Sequence, residues 1–258
     1  MHFTTPELTA LVGAYLWPFF RIGAMLMAMP VIGVKTVPKR VRIAFAIVLT
    51  LIIAPLVPDV PQVDPLSGSA VLIVAQQILI GVAMGFILQL VFAIFLVGAH
   101  VISMQMGLGF ATMIDPQSGA SIPVLGQFFT IVVTLVFLAL NGHLLLIEML
   151  VNSFHTLPIS ESGISAEGYW LMALWGREVF SGAVLVALPA IAALLFVTLT
   201  LGVMTRAAPQ FNIFAVGFPI SLVWGVVIVY FTLPGLIGQI DGLFSKGFFL
   251  ISRILGGA

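Results

Sequence analysis

Charged residues punctuate this chain into six long apolar runs: Leu8–Val34, Val41–Val57, Ala70–Ile114, Val124–Ile147, Val179–Thr205 and Phe211–Ile240. A helix needs about 20 apolar residues to cross a membrane. Every run except Val41–Val57 has that length, and Val41–Val57 needs its flanks. Ala70–Ile114 is too long for one straight span, so a helix is expected to about Ala99, followed by irregular chain. The pattern predicts an all-α polytopic membrane protein of about six hydrophobic helical segments joined as hairpins. Pro18, Pro189, Pro219 and Pro234 fall inside these segments and predict kinks, because proline removes a donor and frees a carbonyl.

Composition agrees. Of 258 residues, 61% are hydrophobic and only 7% charged, with mean hydropathy +1.26. A soluble domain, nearer a quarter charged, needs more polar surface than this chain supplies. Nine Lys+Arg balance nine Asp+Glu, so the balance favours neither nucleic acid nor an acidic partner. Cysteine is absent, which excludes disulfides and thiolate chemistry. No basic residue precedes Arg21, and Leu8–Val34 exceeds a signal-peptide core, so a retained first span is expected. The chain reads as one domain.

Lys35, Lys39, Arg40 and Arg42 cluster after the first run, whereas the loops with Asp59 and Asp64, and with Glu161 and Glu167, contain no Lys or Arg. The positive-inside rule puts the basic loop in the cytoplasm and the acidic loops outside. Arg206 then lies inside and both termini outside. Lys246 and Arg253 in the tail fit that topology poorly.

Between Asp64 and Glu148 the one charged side chain is Asp115. It sits in a stretch holding Gly107, Gly109, Gly119, Pro116 and Pro123, which disfavours regular helix. Irregular backbone at membrane depth persists only when buried in protein or lining water. The stretch therefore predicts a pore, gate or translocation path. Met106, Met113 and Phe110 within it are suited to an adaptable apolar seal, or to filling gaps between helices.

Gln77, Gly81, Gly85 and Gln89 recur every four residues along one drifting helix face, a pattern for helix packing or a polar conduit. Arg21, deep in the first run, predicts an inter-helix or inter-subunit pair. Glu148 and Arg177-Glu178 lie near expected interfaces and read as anchors. His100, His143 and His155 lack ligand spacing, and no His-Glu-x-x-His or phosphate loop is present. For Gly119-Ala-Ser121, no histidine lies downstream of His155 to serve as a base in a later span. No catalytic residue, cofactor or metal is expected.

Several stretches together resemble the FliR family of flagellar type III export-gate subunits. They are Leu16-Trp-Pro-Phe-Phe-Arg21, Val37-Pro-Lys-Arg-Val-Arg42, Gln105-Met-Gly-Leu-Gly-Phe-Ala-Thr-Met-Ile-Asp-Pro116, Leu140-Asn-Gly-His143, Ser153-Phe-His-Thr-Leu-Pro158, Arg206-Ala-Ala-Pro-Gln-Phe-Asn212 and Val216-Gly-Phe-Pro219. The resemblance covers nearly the whole chain, and two of its motifs are closer to flagellar members than to those of virulence injectisomes. It implies a non-enzymatic pore subunit for unfolded flagellar proteins in the bacterial inner membrane, at the flagellar basal body. The implied partners are FliP and FliQ in a closed helical assembly, with FlhB docked on the cytoplasmic side. Residues 1–178 would be a FliP-like part and 179–258 a FliQ-like hairpin and tail. The hairpin tip would hold Arg206, Pro209, Gln210 and Asn212. Met106–Ser121, with Gly107, Gly109, Phe110, Met113, Asp115, Pro116 and Gly119, would be a plug inside the pore. The competing readings are a virulence-type subunit, a small-molecule or ion transporter, which calls for inverted repeats, and a scaffold that does not gate.

Overall fold

The apolar runs fold as helix and little else. A computed structural model describes residues 5–34, 36–58, 60–64, 67–108, 124–208 and 213–256, with backbone alone for 5–10 and 213–216. Among these residues are seven α-helices and no strand: α1 (Thr5–Ala28), α2 (Lys39–Ile53), α3 (Gly68–Gln105), α4 (Val124–Ala139), α5 (Gly142–Thr156), α6 (Ala166–Ala207) and α7 (Ile213–Ile254). A single 3-10 turn, Ala54–Leu56, follows α2. In a bilayer, helix is the open-chain structure that satisfies every backbone donor and acceptor internally.

Four helices are long and apolar enough to cross a membrane, or five if α4 and α5 together form one broken span. This is an all-α polytopic membrane protein. The helices differ from expectation in detail. α2 has 15 residues, about 22 Å of helix against about 30 Å of hydrocarbon, so it falls short of a full span. α3 passes Ala99 and continues to Gln105, because the intervening residues include neither glycine nor proline. The run Val124–Ile147 does not stay straight: Asn141 adopts a left-handed φ of 56° and starts a new helix, with Leu144 and Leu145 N–H groups donating to its carbonyl. Asparagine tolerates that conformation better than most residues. Glu148, expected at a run's end, consequently lies within α5, exposed. Pro18, Pro189, Pro219 and Pro234 are each accommodated inside a helix.

Two compact units divide the chain. One comprises Met1–Leu90, Asn141–Trp175 and Phe244–Ala258; the other comprises Val91–Leu140 and Gly176–Leu243. In the first unit α1 lies against α3 at glycines. A β-carbon on Gly81 would meet the Arg21 carbonyl and come within 2.9 Å of the Met25 nitrogen. One on Gly85 would lie 2.5 Å from Ala28 Cβ. This is the small-residue contact that lets membrane helices approach backbone to backbone. The C-terminal apolar tail belongs to this unit: Phe244, Leu250, Ile251, Ile254 and Leu255 are buried. Arg253 lies 3.9 Å from Glu167, which sets the basic tail beside an acidic residue at the start of α6.

In the second unit α3 and α6 meet closely, and the positions of Gly98 and Gly182 allow it. A β-carbon on Gly98 would lie 3.1 Å from the Ala183 carbonyl, and one on Gly182 would lie 3.0 Å from Ile94. Phe92 and Phe137 pack edge to face with ring centres 5.9 Å apart, joining α3 to α4. The apolar stretch of α3 is 61% buried, against 22% in α6 and 17% in α7. α3 is therefore the core helix, while α6 and α7 turn large apolar faces outward, including Phe180, Phe196, Tyr230 and Phe231.

Candidate functional site

The stretch singled out by its glycines and prolines begins where α3 ends, and two hydrogen bonds close that end. Leu108 N–H donates to the Ser103 carbonyl at 3.0 Å, and Gly107 N–H donates to the Met104 carbonyl at 3.0 Å. Gly107 has φ of 84°. A left-handed glycine just past the helix, with these two nested bonds, is the Schellman arrangement that satisfies the last helical carbonyls. Gly107 is thus accounted for as the stop of α3. A β-carbon there would also lie 2.9 Å from the Phe218 ring on α7.

One residue earlier, Met106 is buried at 2% exposure. Its side chain lies in a notch on α7: a β-carbon on Gly225 would fall 2.5 Å from Met106 Cγ, 2.6 Å from Cε and 2.9 Å from Sδ. Methionine suits such a seat, since its unbranched thioether can follow an irregular surface. Sequence reading did not find Gly225. A lone glycine in an apolar helix carries no local mark of its partner.

Chain re-enters described structure at Val124, the first residue of α4, which is 82% exposed. Met106, Leu108, Val124, Phe128, Val226 and Tyr230 all border one apolar cavity of about 530 Å³. Both ends of the 109–123 stretch therefore open onto the same space in the second unit. Gly109, Phe110, Met113, Asp115, Pro116 and Gly119 lie outside the described residues.

Arg21 anchors a second cluster, in the first unit. It is fully buried, and each nitrogen of its guanidinium has a partner. Nε donates to Gln77 Oε1 at 2.8 Å on α3. Nη1 donates to the Ser153 carbonyl at 2.8 Å and to Ser153 Oγ at 3.0 Å. Nη2 donates to the Leu157 carbonyl at 2.8 Å, and the group lies 4.3 Å from the centre of the Phe154 ring. The partners are carbonyls, an amide, a hydroxyl and a ring face. A cation on the last carbonyls of α5 also meets the negative end of that helix. Fixed acceptors of this kind offset part of the desolvation cost of a buried charge.

The four-residue series divides here. Gln77 is buried and bonded to Arg21, Gly81 and Gly85 face α1, and Gln89 is exposed. Four residues advance a helix by about 400°, so twelve residues turn the face by roughly 120°. Gln89 has rotated off the contact. Arg206 is exposed in the last turn of α6, a favourable place for a cation at a helix C-terminus. Pro209, Gln210 and Asn212 lie outside the described residues. No group of three or more His, Asp or Glu side chains gathers among the described residues.

Helices packed on glycine, an apolar cavity and a buried arginine held by neutral acceptors characterise this membrane protein. The chain matches the bacterial export proteins, family 1, over residues 12–247, and it belongs to that family. It is 37% identical over 254 residues to the flagellar biosynthetic protein FliR of Escherichia coli (strain K12), covering 98% of this chain and 96% of that one. It is 38% identical over 253 residues to the flagellar biosynthetic protein FliR of Pectobacterium carotovorum subsp. carotovorum, covering 98% and 97%. The flagellar biosynthetic protein FliR of Bacillus subtilis (strain 168) is 28% identical over 236 residues, covering 90% of each chain. The relatives are thus flagellar across distant bacteria, and this chain is a membrane protein of the flagellar export family.

Proposed function

We propose that the chain is a pore-forming and gating subunit of the flagellar type III export apparatus, and that residues 106–121 are its plug. The observation that carries this reading is the shared cavity. Leu108 and Val124, the two ends of the 109–123 stretch, border one apolar space, so the stretch leaves and returns at a single place. The Gly107 stop and the Met106 seat on Gly225 hold the first end in position. To the residues after Leu108 we assign the gating role, with Phe110 and Met113 as the seal and Asp115 as a group for pore water or a partner.

The outward apolar faces of α6 and α7 support an assembly with further helices, which we assign to FliP and FliQ, with FlhB on the cytoplasmic side. Each of these two helices has 42 residues, about 63 Å along its axis and twice the hydrocarbon thickness. Such length fits helices that continue beyond the bilayer inside a complex. We assign residues 1–178 to a FliP-like part and 179–258 to a FliQ-like hairpin and tail, its tip at Arg206–Asn212. The chain acts without catalysis of its own, in the bacterial inner membrane at the flagellar basal body, and driving energy comes from its partners and the proton motive force.

The chain has no native cysteine, which makes a single-cysteine test clean. Asp115→Cys is expected to cross-link to an export substrate stalled in transit, while Phe180→Cys on the outer face of α6 is not. A stalled substrate that never reaches position 115 would refute the pore assignment.

A further inference from the structure

Helix α2 starts with a concentration of positive charge that its own sequence does not balance. Lys39, Arg40 and Arg42 occupy its first turn, and residues 35–57 contain no Asp or Glu. A helix N-terminus carries about half a positive charge and favours anions, so three cations there oppose the dipole. Its N-cap is Pro38, which supplies no side-chain acceptor to the first amide groups.

An independent feature lies beside it. A cavity of about 430 Å³ opens between α1, α2 and α3, lined by Phe20, Gly23, Met27, Arg42, Ala46 and Val82 among others. The lining is apolar apart from Arg42, which sits at the α2 N-terminal end, one turn above Ala46. Arg42 Nη2 donates to the Val34 carbonyl and, at 2.9 Å, to the Val37 carbonyl. Its Nε is buried and has no partner among the described residues. Gly23 leaves the slot open: nothing lies within 4 Å of where its β-carbon would stand.

An apolar slot with cations at one end fits an amphiphile with an anionic head and an aliphatic tail. We propose that the cleft between α1 and α2 binds an anionic phospholipid. Its phosphate sits on the Lys39–Arg42 turn and an acyl chain fills the slot. Positive-inside orientation puts this turn at the cytoplasmic leaflet, where anionic lipids concentrate basic segments at the surface. The cavity volume lies in the ordinary range for a small-molecule site. The exposed residues Val41, Ile47, Val48, Leu51 and Ile52 keep α2 itself in contact with apolar surroundings.

The test uses the full-length chain extracted from membranes in mild detergent, with lipid retention read by native mass spectrometry. Phosphatidylglycerol is expected to be retained over phosphatidylcholine, and inorganic phosphate alone is not. Lys39→Gln and Arg40→Gln should each weaken phosphatidylglycerol binding about fivefold. Gly23→Leu fills the slot without touching a charge and should weaken it about tenfold or more, as two or more methylenes lose their place. Should that variant fail to accumulate, phosphatidylglycerol with a photoreactive acyl chain decides on the native chain, by labelling α1 near Gly23 and Met27. Equal retention of the two lipids, capture of phosphate alone, indifference to Gly23→Leu, or labelling elsewhere would overturn the proposal.

Discussion

The side chain of Met106, at the end of α3, occupies the space that a β-carbon on Gly225 of α7 would take. The two residues are far apart in sequence, and each makes sense through the other. A glycine in the middle of an apolar helix costs stability relative to alanine, and the methionine it admits fixes where the 109–123 stretch begins.

Gly225→Val should therefore displace Met106 and overpack the contact, at a cost of about 1–3 kcal/mol. Met106→Ala leaves a void instead. Combining Met106→Ala with Gly225→Ala should restore part of the loss, giving a favourable coupling of about 0.5–3 kcal/mol. Thermal unfolding of the detergent-purified variants measures this coupling. Strictly additive losses would mean the contact is incidental.

Gly107→Ala forces a β-carbon onto a residue with φ of 84° and against Phe218. A destabilisation of about 1–3 kcal/mol is expected. Gly107→Asn should be milder in backbone strain, since asparagine enters the left-handed region more readily. If alanine and asparagine are tolerated equally, the helix stop does not depend on this glycine.

Arg21→Lys retains the charge but cannot reach Gln77, Ser153 and Leu157 together, because a lysine presents one nitrogen where arginine presents three in a plane. Breaking such a buried cluster costs about 3–5 kcal/mol, enough to lower the amount of protein in the membrane. Ser153→Ala removes the hydroxyl acceptor alone and leaves the backbone carbonyl, so its cost should be nearer 1 kcal/mol. Membrane abundance and thermal unfolding compare the two. Similar losses for both would show that the clamp is not centred on Arg21.

Much of the fold was legible in the apolar runs, because a helix in lipid must be continuous and long. The glycines from Gly107 onward signal irregular chain, yet α3 runs to Gln105, six residues past the expected end near Ala99. Side-chain partners were not legible. Arg21 suggested a charge pair, yet it is held by carbonyls and an amide, which leave no trace in a pattern of charges. The tail after Asp241 was an apolar run without assignment, and only tertiary packing makes it core of the first unit. Gln89 matched a four-residue spacing, and helix drift carried it off the packed face.

The central claim concerns the plug, and ion leak measures it most directly. Deleting Gly109–Ala120 while retaining the Gly107 helix end should leave the assembly intact but open. Cells with no export in progress should then lose their membrane potential and leak small ions, and the full-length chain should restore tightness. Cells that stay ion-tight with the shortened chain assembled at normal levels would contradict gating by this segment.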